Sequence, residues 1–204
     1  MIIHNDFKQG SEEWFKARLG KLTASKAQAI SASGKGLETL CFEKVAEIIS
    51  GKREDTYINP DMERGNEQED LARSSYEMET GNSVKQVGFC EMNESVGASP
   101  DGLVGDDGLV EIKCPKAANF VKLLYTKKIE TKYLWQMQMQ MLVTDRKWVD
   151  FVAQHENFND LIIIRVERDE AKILKIVDGL LKGAERMKEI FEGCKWWQKQ
   201  QNYN

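Results

Sequence analysis

Apolar residues along this chain keep a spacing of three to four at first, then alternate, and later return to the helical spacing. Residues 11–19 read as a short helix, with Ser11 as its cap and acids in the first turn. A second helix begins near Thr23, and a third runs from about 37 to 50 and stops at Gly51. Pro60 opens a longer helix that ends near Gly81. Residues 84–91, 95–98 and 109–113 then read as short strands joined by Asn, Asp and Gly turns. Residues 119–126 and 133–143 are helical again, and 148–154 and 161–167 are β-rich. The last helix, from about 169 to 192, presents a face of Ile173, Val177, Leu180, Ala184, Met187 and Phe191. Helices before, between and after one group of strands predict an α/β (α+β) sandwich, a central mixed sheet flanked by helices. No repeat, low-complexity tract or Pro/Gly-rich linker breaks the pattern, so residues 1–204 read as one domain.

Composition narrows the class. At 41% hydrophobic and 30% charged residues, the chain fits a soluble globular protein with a substantial core. No apolar run approaches the roughly 20 residues of a membrane-spanning helix. The first residues lack the basic and apolar segments of a signal peptide, so a cytoplasmic location is expected. Four cysteines are scattered without a Cys-x-x-Cys pair, which argues against zinc or iron–sulfur sites and for a reducing compartment. His4 and His155 are the only histidines, leaving a His-based triad little to work with. A net charge of −4 argues against a chain coated in nucleic acid, but a nuclease needs only a local basic surface.

The chemistry concentrates in Ser99-Pro100-Asp101-Gly102 and Val110-Glu111-Ile112-Lys113-Cys114-Pro115. Side chains alternate across a strand, so Glu111 and Lys113 share one face and Val110 and Ile112 the other. Two carboxylates can hold a hard cation such as Mg²⁺, and a lysine beside them can steady a hydroxide or an anionic transition state. The plain alternative is an Asp-Gly turn and an edge strand with a surface Glu/Lys pair.

Three other stretches bear on this one. On the Pro60 helix, Met62, Gly65, Ala72 and Tyr76 form one stripe with Glu69 in its middle. A carboxylate on an inward face needs neutralising, by a metal ion or by Arg73 one turn on. Met62 is of the type that wedges between base steps, with core packing the alternative. On the 133–143 helix, Gln136 and Gln140 share a face with Tyr133 and Val143, where they could orient a water or phosphate, or only satisfy backbone groups. Near the N-terminus, Trp14 and Arg18 are one turn apart. Thr23, Ser25 and the helix start after them could complete a phosphate cradle, and ordinary capping explains the hydroxyls equally well.

These blocks resemble a known family. Trp14-x-x-x-Arg18-x-Gly20-x-x-Thr23-Ala24-Ser25, Gly65-x-x-x-Glu69, Ser99-Pro100-Asp101-Gly102, Glu111-x-Lys113-Cys114-Pro115 and Tyr133-x-x-Gln136-x-Gln138 occur in the order of the phage lambda exonuclease-like, viral-type alkaline exonucleases. That family belongs to the PD-(D/E)XK nucleases, whose core is restriction-endonuclease-like. The resemblance implies a Mg²⁺-dependent 5′→3′ exonuclease that degrades one strand of linear double-stranded DNA to mononucleotides and leaves a 3′ single strand. It implies two ions per site, with Mn²⁺ able to substitute. Asp101, Glu111 and the Ile112 carbonyl would hold one ion and Glu69 the second. Lys113 would orient or deprotonate the water, and Gln136 would position the nucleophile or the scissile phosphate. Arg18, Ser25 and Ser99 would grip the 5′-phosphate. Where the family's namesake completes this pocket with an arginine, the chain reads Lys116-Ala117-Ala118-Asn119, so Lys116 would supply a point charge without the forked geometry. The resemblance further implies a ring-shaped homotrimer, a single-strand annealing partner, and a phage or prophage origin. The Trp196-Trp197 tail is a local hint of an interface. A PD-(D/E)XK endonuclease or repair nuclease, a small-molecule phosphohydrolase, or a noncatalytic DNA-end-binding recombination module are the alternatives.

Overall fold

The computed structural model describes residues 1–53 and 60–201, with the side chains of 60–67 and 196–201 excepted. Met62, Gly65, Trp196 and Trp197 therefore carry expectations that lie outside the described side chains.

The expected mixed strands flanked by helices are present, and they divide between two sheets. The first holds β1 (Ile2–His4), β2 (Leu22–Thr23), β4 (Phe89–Asn93) and β5 (Val96–Ala98), in the order β1-β4-β5-β2. The second holds β3 (Val84–Lys85), β6 (Gly102–Val104), β7 (Gly108–Lys113), β8 (Trp148–Ala153) and β9 (Ile162–Glu167), in the order β3-β6-β7-β8-β9. Residues 84–91, expected as one strand, are split: Val84–Lys85 joins the second sheet and Phe89–Asn93 the first. The Ser99-Pro100-Asp101 segment is the crossing between the sheets, leaving β5 in one and entering β6 in the other. The Gln9 amide fixes it by donating to the Pro100 carbonyl at 2.8 Å and the Val87 carbonyl at 3.0 Å. Gly102 is required directly after it, because a Cβ there would sit 2.1 Å from Val84 Cγ1.

Among the described residues, seven helices surround these sheets: α1 (Glu12–Arg18), α2 (Ala27–Ala32), α3 (Lys35–Ser50), α4 (Pro60–Thr80), α5 (Ala117–Thr126), α6 (Thr131–Thr144) and α7 (Glu170–Gln201). Ser11 caps α1 as expected, its hydroxyl accepting the Trp14 N–H at 3.2 Å. β7 and β8 pair in parallel, and α5 and α6 form the crossover that parallel strands need. α6 packs against β4 and β5 of one sheet and β8 of the other. Lying between both, it buries Met137, Met139 and Met141 completely.

The buried stripe of α7 runs through Ile173, Ile176, Leu180, Met187 and Ile190, while Val177 is half-buried and Ala184 is exposed. The expected face is thus rotated, and the reason is steric. At Gly179 a Cβ would meet the Ile30 carbonyl oxygen at 2.0 Å, so α7 reaches α2 through a residue that an apolar pattern does not mark.

A large core lies around Leu22, Ile30, Phe120, Met137 and Ile176, and a smaller one joins Ala72 and Tyr76 of α4 to Val104, Val110, Ile112 and Val152. Beneath α4, buried Asp150 accepts the Tyr76 hydroxyl at 2.7 Å and the Arg165 guanidinium at 2.8 and 2.9 Å. That network fastens α4 to β8 and β9.

Candidate active site

β7 is a central strand, flanked by β6 and β8, and Glu111 on it is fully buried. This removes the edge-strand alternative. The period-two alternation is realised: Val110 and Ile112 enter the smaller core, and Glu111 and Lys113 face α6. Both charged residues lie toward the carboxyl end of a parallel strand, where α/β sheets open their clefts.

Three groups converge on the Glu111 carboxylate. Lys113 Nζ lies 2.5 Å from Oε1, Gln136 Nε2 donates to Oε1 at 2.7 Å, and Gln140 Nε2 donates to Oε2 at 2.6 Å. Asp101 stands beside them at the sheet crossing, its Oδ2 accepting the Ile112 N–H at 2.6 Å. The Lys113 ammonium also donates to the Ile112 carbonyl at 3.0 Å and lies 4.0 Å from Asp101 Oδ2. The residues that the resemblance nominates for the first metal, Asp101, Glu111 and Ile112, thus each present an oxygen to one cationic group. Burial opposes the charge on Lys113, but Glu111 and Asp101 outweigh it and hold the ammonium above the ordinary lysine range. Burial, and then the charge of Glu111, pushes the Asp101 carboxyl well above the usual carboxylate range. Among the described residues no three His, Cys, Asp or Glu side chains converge into a ready cage. The donor set is nevertheless all oxygen, two carboxylates and a neutral carbonyl, the chemistry that suits a hard divalent cation, with the ammonium standing in the same surroundings.

Glu69 and Lys113 line the same cleft, which has a volume of about 540 Å³. Glu69 pairs with Arg73 at 2.6 Å, so the helical ion pair and the inward-facing acid are both realised. Burial raises the Glu69 carboxyl despite that pair, and Glu111 adds to the rise. Lys122, Lys128 and Lys132 line the rim of the cleft. Sequence reading did not single them out, although the basic residues between 116 and 132 were a usable signal.

The second cluster forms where α1 meets the sheet crossing. Arg18 stacks on Trp14, its guanidinium carbon 4.2 Å from the ring centre. Arg18 donates to Ser99 Oγ at 3.0 Å, and Trp14 Nε1 donates to the same oxygen at 2.9 Å. Thr23 does not cap a helix: its hydroxyl oxygen lies 3.5 Å from Arg18 Nη2 and 3.4 Å from Ser25 Oγ. The backbone after Thr23 forms a three-residue 3₁₀ turn, Ala24–Lys26, that runs directly into α2, so the helix expected from near Thr23 opens with a 3₁₀ turn. Among the described residues no carboxylate forms an ion pair with Arg18. Burial, and then nearby Arg53, lowers its pKa to about 10, so it stays charged at neutral pH. Lys116 lies exposed at the start of α5. Ser99 and Asp101 join the two clusters through one short segment.

A family model, the YqaJ-like viral recombinase domain, matches residues 13–147, which include both clusters. The chain belongs to the YqaJ-like viral recombinase family. No curated protein matches by sequence. Among solved structures, an alkaline exonuclease (LHK-Exo) from Laribacter hongkongensis is 36% identical over 93% of this chain and 99% of its own, with a TM-score of 0.87. LHK-Exo in complex with dAMP matches with the same identity, coverage and TM-score. A phage related exonuclease from Haemophilus somnus 129PT shares the fold, at 15% identity over 85% of this chain and 96% of its own and a TM-score of 0.68. These matches bear out the lambda-exonuclease-like resemblance and the PD-(D/E)XK type of fold. Among the described residues of this YqaJ-like chain, no helix is long and apolar enough to cross a membrane.

Proposed function

We propose that the chain is a Mg²⁺-dependent 5′→3′ exonuclease acting on the ends of linear double-stranded DNA, with residues 1–204 as one nuclease domain. The coarser statement, an exonuclease of the viral recombinase type, follows from family membership and the likeness to LHK-Exo. The finer one rests on the Lys113 ammonium held among Glu111, Ile112 and Asp101 oxygens, with an anion pocket two residues away at Ser99.

Asp101, Glu111 and the Ile112 carbonyl would hold one cation, and Glu69 would serve a second. When bound, Mg²⁺ or Mn²⁺ polarises the attacking water and offsets charge on the leaving oxygen. Lys113 keeps its ammonium beside these oxygens and steadies the water or the phosphate. Gln136, on the outer oxygen of Glu111, is placed to turn toward the nucleophile. Arg18, Ser25 and Ser99 grip the 5′-phosphate, and Lys116 adds charge at the start of α5. Two residues of chain span at most about 7 Å, so a phosphate held at Ser99 brings the next phosphodiester toward Asp101. That arrangement gives a 5′→3′ direction, mononucleotide products and a 3′ single-stranded tail for an annealing partner. The same reading includes a homotrimeric ring and a phage or prophage protein working in its host's cytoplasm.

Digestion of end-labelled linear duplex with Mg²⁺, scored for polarity and product length, tests it. Labelled mononucleotides released from 5′ ends, with a nicked closed circle left uncut at its intact strand, are expected. Cleavage of the intact strand of that circle would favour an endonuclease and refute the reading.

A further inference from the structure

The three glutamines of α6 are used differently. Gln138 spends both ends of its amide on backbone: Nε2 donates to the Glu167 carbonyl at 2.8 Å, and Oε1 accepts the Asp169 N–H at 2.8 Å. It is a brace between α6 and the β9–α7 junction. Gln136 is half-buried and shares the outer Glu111 oxygen with Lys113. Gln140 is fully buried, donates to the inner Glu111 oxygen at 2.6 Å, and leaves its own Oε1 without a partner. An orphaned buried amide oxygen is costly. Methionine would fill that volume without the cost, and the helix places buried methionines at 137, 139 and 141. Packing therefore does not explain a glutamine at 140; its one hydrogen bond to Glu111 does.

We propose that Gln140 is the positioning residue of the metal centre, an inference that rests on reading Glu111 as a metal ligand. By holding the inner oxygen, it fixes the carboxylate plane and presents the outer oxygen to the divalent cation. Gln136 is then free to leave Glu111 and meet the water or phosphate without the acid losing its orientation. A hydrogen bond that orients a metal-ligating carboxylate commonly changes metal affinity about 10–100-fold when removed.

The test is Mn²⁺ binding to the full chain without DNA, measured by calorimetry, beside thermal melting, for wild type, Gln140→Met and Gln138→Met. Gln140→Met should weaken Mn²⁺ binding at least tenfold while remaining folded. Gln138→Met should lower the melting temperature and leave Mn²⁺ affinity unchanged. Should the methionine variant fail to fold, Gln140→Asn, one methylene too short to reach Glu111, carries the same expectation. Wild type that binds Mn²⁺, with equal affinity in a folded Gln140 variant, overturns the inference alone. Wild type that binds no Mn²⁺ overturns the metal reading as well.

Discussion

Replacing Arg18 tests the end-recognition half of the mechanism. Its guanidinium is stacked on Trp14, donates to the Ser99 hydroxyl oxygen and has no carboxylate ion pair among the described residues. With a pKa near 10 it is charged at neutral pH, and it is mostly enclosed. A positive charge in such a place, whose side-chain hydrogen bonds among the described residues go to the Ser99 and Thr23 hydroxyls, is ready for an anion. A hydrogen bond that gains a charged partner contributes about 1.5–3 kcal/mol. One net charge-assisted bond to a terminal phosphate should therefore favour phosphorylated ends by about 10- to 150-fold, at about 1.4 kcal/mol per tenfold. The measurement is the ratio of initial rates on 5′-phosphorylated and 5′-hydroxyl duplex at one salt concentration. Arg18→Ala should bring that ratio close to one. Arg18→Lys should leave an intermediate ratio, since it keeps the charge and loses the fork. If wild type shows a clear preference that Arg18→Ala leaves intact, Arg18 is a structural partner of Trp14 and the pocket lies elsewhere.

Asp101→Asn should abolish cleavage yet raise the melting temperature of the metal-free protein, because it removes a carboxylate crowded by burial and by Glu111. Added MgCl₂ should raise the melting temperature of wild type and not of the variant; a variant that cuts near-normally, or melts lower without metal, refutes the assignment. Asp150→Ala leaves the buried Tyr76 hydroxyl and Arg165 without their acceptor, so a loss of about 2–4 kcal/mol is expected, discounted for the exposed side of Arg165. At about 2–4 °C per kcal/mol, calorimetry should register a drop of roughly 5–15 °C with the cleavage rate at low temperature little changed. A ring predicts a trimer mass by light scattering at micromolar concentration, and a monomer there removes the threading model.

How much of the molecule is legible in its sequence depends on the distance over which each contact acts. The alternation Val110-Glu111-Ile112-Lys113 can be read because a strand's period of two is local, and it places the acid and lysine on one face before any partner is known. The spacing of Gln136 and Gln140 likewise puts both amides on one side of α6. That they meet Glu111, 25 and 29 residues back, depends on how α6 docks against β7, and no periodicity encodes docking. β1, β2 and β6 escape notice because two or three residues cannot display a period, and β5, equally short, is read only from the turns beside it. The face of α7 is misread because its tightest approach is made by Gly179, which hydrophobic patterning counts as blank. Thr23 carries the same lesson at the site itself. A hydroxyl before a helix start reads equally as a cap or as part of a cradle, and it is Arg18 and Ser25 that approach its oxygen, with Arg18 oriented by Ser99 across 81 residues. Of the carboxylate cluster, the pairing of Glu111 with Lys113 on one strand face is therefore open to local reasoning, and its meeting with Asp101, Gln136 and Gln140 is not. The proposed anion pocket, whose walls lie 81 residues apart at Arg18 and Ser99, emerges only as spaced residues until the sheet crossing brings Ser99 to α1.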